Sequence, residues 1–162
     1  MTKYKVDTKK QTLIIVRGIQ GSGKSTFAKK FLEAGFIHHE NDKFFTDENG
    51  VYKFDLSKHQ EAKDETLRMV MKDLREGKNV VVSNTFNSLK ELHQYKDLAE
   101  ALEVKVKVVK MELNFESLHS VPKEIIEKAR QTYEKHPIEK VISDPNYKVS
   151  FENSRLRNRM TR

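Results

Sequence analysis

The chain of 162 residues contains no cysteine. Disulfides, a thiolate zinc site and a cysteine nucleophile are therefore excluded, a composition that suits a reducing cytoplasm. Long apolar runs are missing too. No stretch nears the roughly 20 residues that cross a bilayer, so no membrane partner is expected, and no signal-peptide pattern is visible. Internal repeats and low-complexity tracts are also absent. Acidic residues are in the minority, 24 Asp and Glu against 31 Lys and Arg, for a formal net charge of +7. That balance fits a lysine-rich solvated surface and a polyanion partner such as nucleic acid equally well. Lys3, Lys5, Lys9 and Lys10 crowd the start, and Arg155, Arg157, Arg159 and Arg162 crowd the end. Basic ends of this kind either track a phosphate backbone or stay solvated. The length fits one domain with a real core.

Against that plain background one motif stands out. Gly18, Ile19, Gln20, Gly21, Ser22, Gly23, Lys24 and Ser25, followed by Thr26, fit the pattern G-x-x-x-x-G-K-[ST]. Backbone N–H groups of such a loop cradle phosphate oxygens. The lysine reaches the terminal phosphates, and the serine hydroxyl ligates Mg²⁺. The context agrees. Leu13 to Val16 before the loop is a continuous apolar run, which predicts a buried parallel strand. Thr26 to Leu32 after it predicts a helix whose N-terminus favours an anion. A nucleoside triphosphate with Mg²⁺ is the expected ligand, ATP or GTP on the motif alone.

Strand and helix patterns then alternate. Residues 1–11 read as a loose basic arm. Phe36 to Glu40 reads as a second strand, and Asn41 to Phe54 as a turn-rich excursion or small hairpin around Gly50. Ser57 to Gln60 and Ser88 to Glu91 read as capping boxes opening two helices. Val80 to Val82 is a continuously apolar, central strand between them. In Val104 to Met111 valines alternate with Lys105 and Lys107, which predicts an edge strand. Pro122 starts a further helix, and the pattern weakens from His136 onward. The expected architecture is α/β, a parallel sheet with helices on both faces. The expected organisation is an arm over 1–11, a catalytic domain over 12–135 and an extension over 136–162.

Ligands in such sheets bind at the carboxyl ends of the strands. Asp42 follows the second strand and is the first candidate for the base that accepts a proton from an attacking hydroxyl; Glu40 is the second. The alternative role for either carboxylate is to cap a turn or hold Mg²⁺ through water. Asn84 and Thr85 follow the third strand with Ser83, and either orient a substrate or close the strand. His119 is a candidate lid residue. Lys123 and Arg130 are candidate cations for the charge that develops during phosphoryl transfer. Phe44, Phe45, Tyr52 and Phe54 form either a small core or a platform for a base. Adjacent His38 and His39 point to opposite faces of a strand and do not share a metal.

Together these residues resemble the phosphate-loop kinases that include the kinase domain of bacteriophage polynucleotide kinase. They are similar also to small phage and bacterial ATP-binding proteins and to the kinase-like domain of NEDD-binding proteins. The resemblance spans about residues 12–135. It rests on Gly18 to Thr26, Glu40-Asn41-Asp42 with Phe45, Gly50 to Phe54, Val81 to Phe86, His119 to Pro122 and Tyr133-Glu134. It implies a three-layer P-loop NTPase fold with four or five parallel strands and a small lid. It also implies ATP with Mg²⁺ and transfer of the γ-phosphate to a hydroxyl, the 5′-hydroxyl of a polynucleotide first. A small-molecule, nucleoside or zeta-type sugar-nucleotide kinase, and a nucleotide-binding module without catalysis, remain open. The chain departs from the family pattern at four places. Asn41 aligns with the polynucleotide kinases' catalytic aspartate, and Asn84 replaces the third-strand aspartate. Phe115 to Ser117 stands where the lid arginine is usual, and Ser120 where a glycine follows the histidine.

Overall fold

The computed structural model describes residues 2–113, 124, 127 and 133–152. Among the described residues, the elements run in the order β1 (Lys3–Asp7), β2 (Thr12–Arg17), α1 (Lys24–Lys29), β3 (Ile37–His39), α2 (His59–Arg75), β4 (Val80–Ser83), α3 (Leu89–Ala101), β5 (Lys105–Met111), β6 (Lys140–Ile142) and β7 (Lys148–Glu152). Five of the strands form one parallel sheet in the order β3-β4-β2-β5-β6.

The unbroken apolar runs follow from burial on both faces. Along β2, Ile14 and Val16 point toward α1, whereas Leu13 and Ile15 point toward α2 and α3. β4 divides its residues in the same way, Val81 to the first face and Val80 and Val82 to the second. The crossover helices therefore lie on opposite sides of the sheet, and the loops after β2, β3 and β4 meet at one edge.

Four expectations change. The basic lead-in is not loose: β1 pairs in parallel with β7 along Lys3–Asp7 and Lys148–Glu152. Its lysines alternate with buried Tyr4 and Val6, which pack with Phe27 and Phe31 of the first core. β5 is not an edge strand, because β6 pairs with it through Val109, Lys110 and Met111. Lys107 lies against β1, where it donates to the Lys5 carbonyl at 3.3 Å and sits 5.6 Å from the Tyr4 ring, whereas Lys105 is exposed. The fold also continues past residue 135, since the fifth strand of the sheet is β6. The capping boxes do not form. Ser88 makes no side-chain cap, and Glu134 instead accepts from the Leu89 N–H at 3.1 Å. The turn-rich excursion is a small hairpin closed by an antiparallel bridge between Thr46 and Tyr52.

Candidate active site

β2 delivers the chain directly into the glycine-rich loop. Gly18 adopts φ +154°, and a Cβ there would overlap the Ser22 side chain and lie 2.7 Å from the Met111 carbonyl oxygen. Only glycine lets the loop pass so close to β5. The Ser22 N–H bonds the Ile19 carbonyl at 3.1 Å, and left-handed Gly23 leads into α1. Lys24 Nζ reaches back across the loop to the Ile19 carbonyl at 3.1 Å. Burial lowers the Lys24 pKa below its ordinary value, while the negative charges of Asp42 and then Glu40 act in the opposite sense.

A cleft of about 480 Å³ opens beside the lysine. Gln20, Gly21, Lys24 and Ser25 form one wall and Glu40, Asn41 and Asp42 a second. Ser83, Asn84 and Thr85 form the third, and Tyr52, Phe54 and His59 the fourth.

The two carboxylates occupy different surroundings. Glu40 Oε2 accepts from Ser25 Oγ and from Ser83 Oγ, each at 3.1 Å. Ser83 Oγ also lies 2.6 Å from His38 Nε2. A hydroxyl has a single proton. With that proton on Glu40, His38 must donate its Nε2–H to Ser83. The result is a directed chain, His38 to Ser83 to Glu40, with Ser25 donating to the same carboxylate oxygen. His38 is neutral near pH 7. Burial first, then the charges of Lys43, His39 and Lys29, push its pKa down to about 4, although Glu40 stands 3.6 Å away. Lys43 closes the back of this cluster by donating to the His38 carbonyl.

Asp42 is exposed to the cleft. Its carboxylate accepts from the Tyr52 hydroxyl, 3.4 Å from Oδ1. Burial, the Asp42 charge and this contact raise the Tyr52 phenol pKa, so the hydroxyl keeps its proton. Asn84, which stands where an acidic group is usual, has a structural task. Its Oδ1 accepts from the Asn41 N–H at 2.8 Å and ties the segment bearing Asp42 to the end of β4.

The sequence candidates Gln20, Gly21, Lys24, Ser25, Glu40, Asp42, Asn84 and Thr85 thus share one cleft. Ile19 and Ser22 face a neighbouring cavity of about 370 Å³, lined also by Met111, Leu113 and Tyr133. Thr26 is exposed on α1 and lines neither space. His119, Lys123 and Arg130 lie outside the described residues. Sequence reasoning missed the His38–Ser83–Glu40 chain. Its one signal is alternation along β3, which sends His38 and Glu40 to the same side and His39 to Asp73 on α2, 2.6 Å away.

The donor set fits Mg²⁺. Among the described residues no three His, Asp or Glu side chains cluster tightly enough to hold a metal by themselves. Mg²⁺ commonly takes only one or two protein oxygens and completes its shell with phosphate and water. Ser25 Oγ, backed by Glu40, offers such a contact on the phosphate side of the cleft.

A family model described as an AAA domain matches residues 13–121, the span that carries the loop, both carboxylates and the third strand. The chain belongs to this AAA domain family. Protein PM0531 of Pasteurella multocida is 30% identical over 131 residues, covering 72% of this chain and 73% of its own. Among solved structures, APS kinase CysC of Mycobacterium tuberculosis, in complex with AMPPNP and APS, superposes with a TM-score of 0.51 at 16% identity over 94% of both chains. A chain of the Pnkp1/Rnl/Hen1 RNA repair complex gives a TM-score of 0.58 at 23% identity, covering 76% of this chain and 44% of that one. These two are likenesses of fold, and the fold they share with this AAA domain is that of P-loop kinases.

Proposed function

We propose that the chain is an ATP-dependent kinase that transfers the γ-phosphate to a hydroxyl, with the 5′-hydroxyl of a polynucleotide as acceptor. The observation that carries this reading is Asp42, an exposed carboxylate in the same cleft as the half-buried loop lysine Lys24. The loop amides and Lys24 bind the β- and γ-phosphates. Ser25, held by Glu40, contacts Mg²⁺, which when bound supplies charge neutralisation between those phosphates. Asp42 accepts the proton of the acceptor hydroxyl. The freed oxygen forms a bond to the γ-phosphorus as the bond to the bridging oxygen breaks, and ADP leaves. Glu40 is less suited to the base role, because its Oε2 already accepts from two hydroxyls. The net positive charge supports a polyanionic acceptor.

The test is transfer of labelled γ-phosphate to single-stranded oligonucleotides with a free 5′-hydroxyl, beside nucleosides and sugars. Label on the oligonucleotide supports the full reading. Label confined to nucleosides or sugars rejects the acceptor but keeps the reaction. ATP binding with no transfer to any hydroxyl rejects the kinase.

A further inference from the structure

The hairpin beside the cleft sorts its aromatic side chains into a core and a surface. Phe45 is 8% exposed and forms the hub, with ring centroids 5.0 Å from Phe54, 5.2 Å from Phe44 and 6.4 Å from Tyr52. Tyr52 and Phe54 are 51% and 50% exposed, and both line the cleft on the side of Asp42. Rings that served only to hold the hairpin would gain more by turning inward. Phe54 is shared with an open groove of about 690 Å³ that runs away from the phosphate loop past Phe44, Lys53, Leu56 and Lys58.

The charges of that groove are uneven in what they have left to offer. Its two carboxylates serve their own turns: Asp47 Oδ1 accepts from the Asn49 and Val51 N–H groups, and Asp55 Oδ1 from the N–H and hydroxyl of Ser57. Lys53 and Lys58 form no salt bridge among the described residues. The surface therefore presents two half-exposed rings and two ammonium groups outside any salt bridge, Lys58 lying within electrostatic reach of Asp55. Exposed rings interleaved with cations are the features that bind unpaired bases and their backbone.

We infer that this groove is the subsite for the acceptor strand, its occupant a single-stranded nucleic acid. The first unpaired base stacks on Tyr52 and Phe54, and the following phosphates lie against Lys53 and Lys58. The inference rests on the proposed kinase reading only for which end of the strand enters the cleft. A base held in a duplex cannot turn out of its pair and stack onto these rings without unpairing, so duplex binds more weakly.

The test is fluorescence anisotropy of the full-length protein with a 3′-labelled octanucleotide bearing a 5′-hydroxyl, as DNA and as RNA. Phe54→Leu weakens binding at least about fivefold, the lower end of what one base–aromatic stack contributes. Phe54→Tyr keeps the ring and keeps the affinity, which separates stacking from damage to the hairpin. Lys53→Gln with Lys58→Gln flattens the dependence of log affinity on log salt by about 1.4, at about 0.7 per phosphate contact on a single strand. Affinity for a fluorescent ATP analogue stays unchanged in the lysine double variant, whose two residues lie outside the cleft. No binding by the natural sequence, equal binding by Phe54→Leu and Phe54→Tyr, or an unaltered salt slope overturns the subsite. Oligonucleotide binding with these variant effects but no phosphoryl transfer leaves the subsite standing and removes the kinase.

Discussion

Two carboxylates two residues apart sit in the same cleft but in different chemical surroundings. Glu40 accepts hydrogen bonds from Ser25 and Ser83, whereas Asp42 meets the far end of a tyrosine and lies in the field of Lys24. Asp42→Asn keeps the shape and removes the proposed base. Transfer to the acceptor is expected to fall at least about a hundredfold with ATP affinity unchanged, as read by single-turnover kinetics and calorimetry. An equal loss in both would assign Asp42 to nucleotide binding instead. His38 gives a second prediction at this scale. Its pKa in the fold is about 4 against an ordinary 6.5. Between those values the unfolded chain binds the proton and the folded one does not, so stability is full above about pH 6.5 and declines as pH falls toward 4. His38→Gln keeps an N–H donor for Ser83 and cannot titrate. Thermal melts across this range should show the natural sequence losing stability relative to His38→Gln as the medium is acidified. Parallel pH curves would show that the ring carries no such linkage.

Among the elements, those buried on both faces were legible from residues alone. β2 and β4 are continuous apolar runs because helices cover both sides, and the loops after β2, β3 and β4 bring the phosphate loop, Asp42 and Asn84 together by topology. β1 was not legible. It offers two apolar residues among lysines, and its partner lies more than 140 positions away, as the bond from Thr8 to the Glu152 carbonyl illustrates. Nothing local distinguishes such a strand from a solvated basic arm; only the β7 pairing and the face of α1 beneath it do. The edge assignment of β5 failed for the same reason, because its partner β6 is distant in sequence and Lys107 meets β1. In the cleft, strand alternation placed the carboxylates, but the identity of their hydrogen-bond partners depends on rotamers that spacing does not encode. Phe151 tests the β1–β7 layer. Its ring centroid lies 5.2 Å from that of Phe31 and 6.2 Å from that of Phe36. Phe151→Ala is expected to cost about 2 kcal/mol in urea denaturation, below a fully buried phenylalanine because the residue is half-buried. A change within about 0.5 kcal/mol would mean that β7 lies on the core without holding it.

At the scale of the molecule, one buried cation joins parts of the chain distant in sequence. Arg17, the last residue of β2 and the neighbour of Gly18, is fully buried. It pairs with Glu139 at 2.9 Å, donates to the Phe86 carbonyl at 2.5 Å, and its guanidinium stacks 4.3 Å from the Tyr133 ring centre. Tyr133 in turn donates to the Thr85 carbonyl at 2.5 Å, which also accepts from the Gly18 N–H at 3.4 Å. Residues 133–139 are thereby bound to the base of the phosphate loop and to the turn after β4. Phe86 holds a left-handed φ of +46° in that turn, a conformation that bulky side chains seldom adopt and that its carbonyl contact with Arg17 helps retain. Removing the carboxylate leaves the guanidinium buried without its counter-charge, which is far costlier than losing an exposed pair. Glu139→Ala is expected to lose about 3–5 kcal/mol in denaturant titration, and Arg17→Met combined with Glu139→Leu to recover a large part of it by removing the charge altogether. Because Arg17 touches the turn that also steadies Gly18, the single variant should bind ATP more weakly even where it remains folded. If the double variant is no more stable than Glu139→Ala, the guanidinium is not the unpaired burden, and the bonds to Phe86 and Tyr133 must carry the stability by themselves.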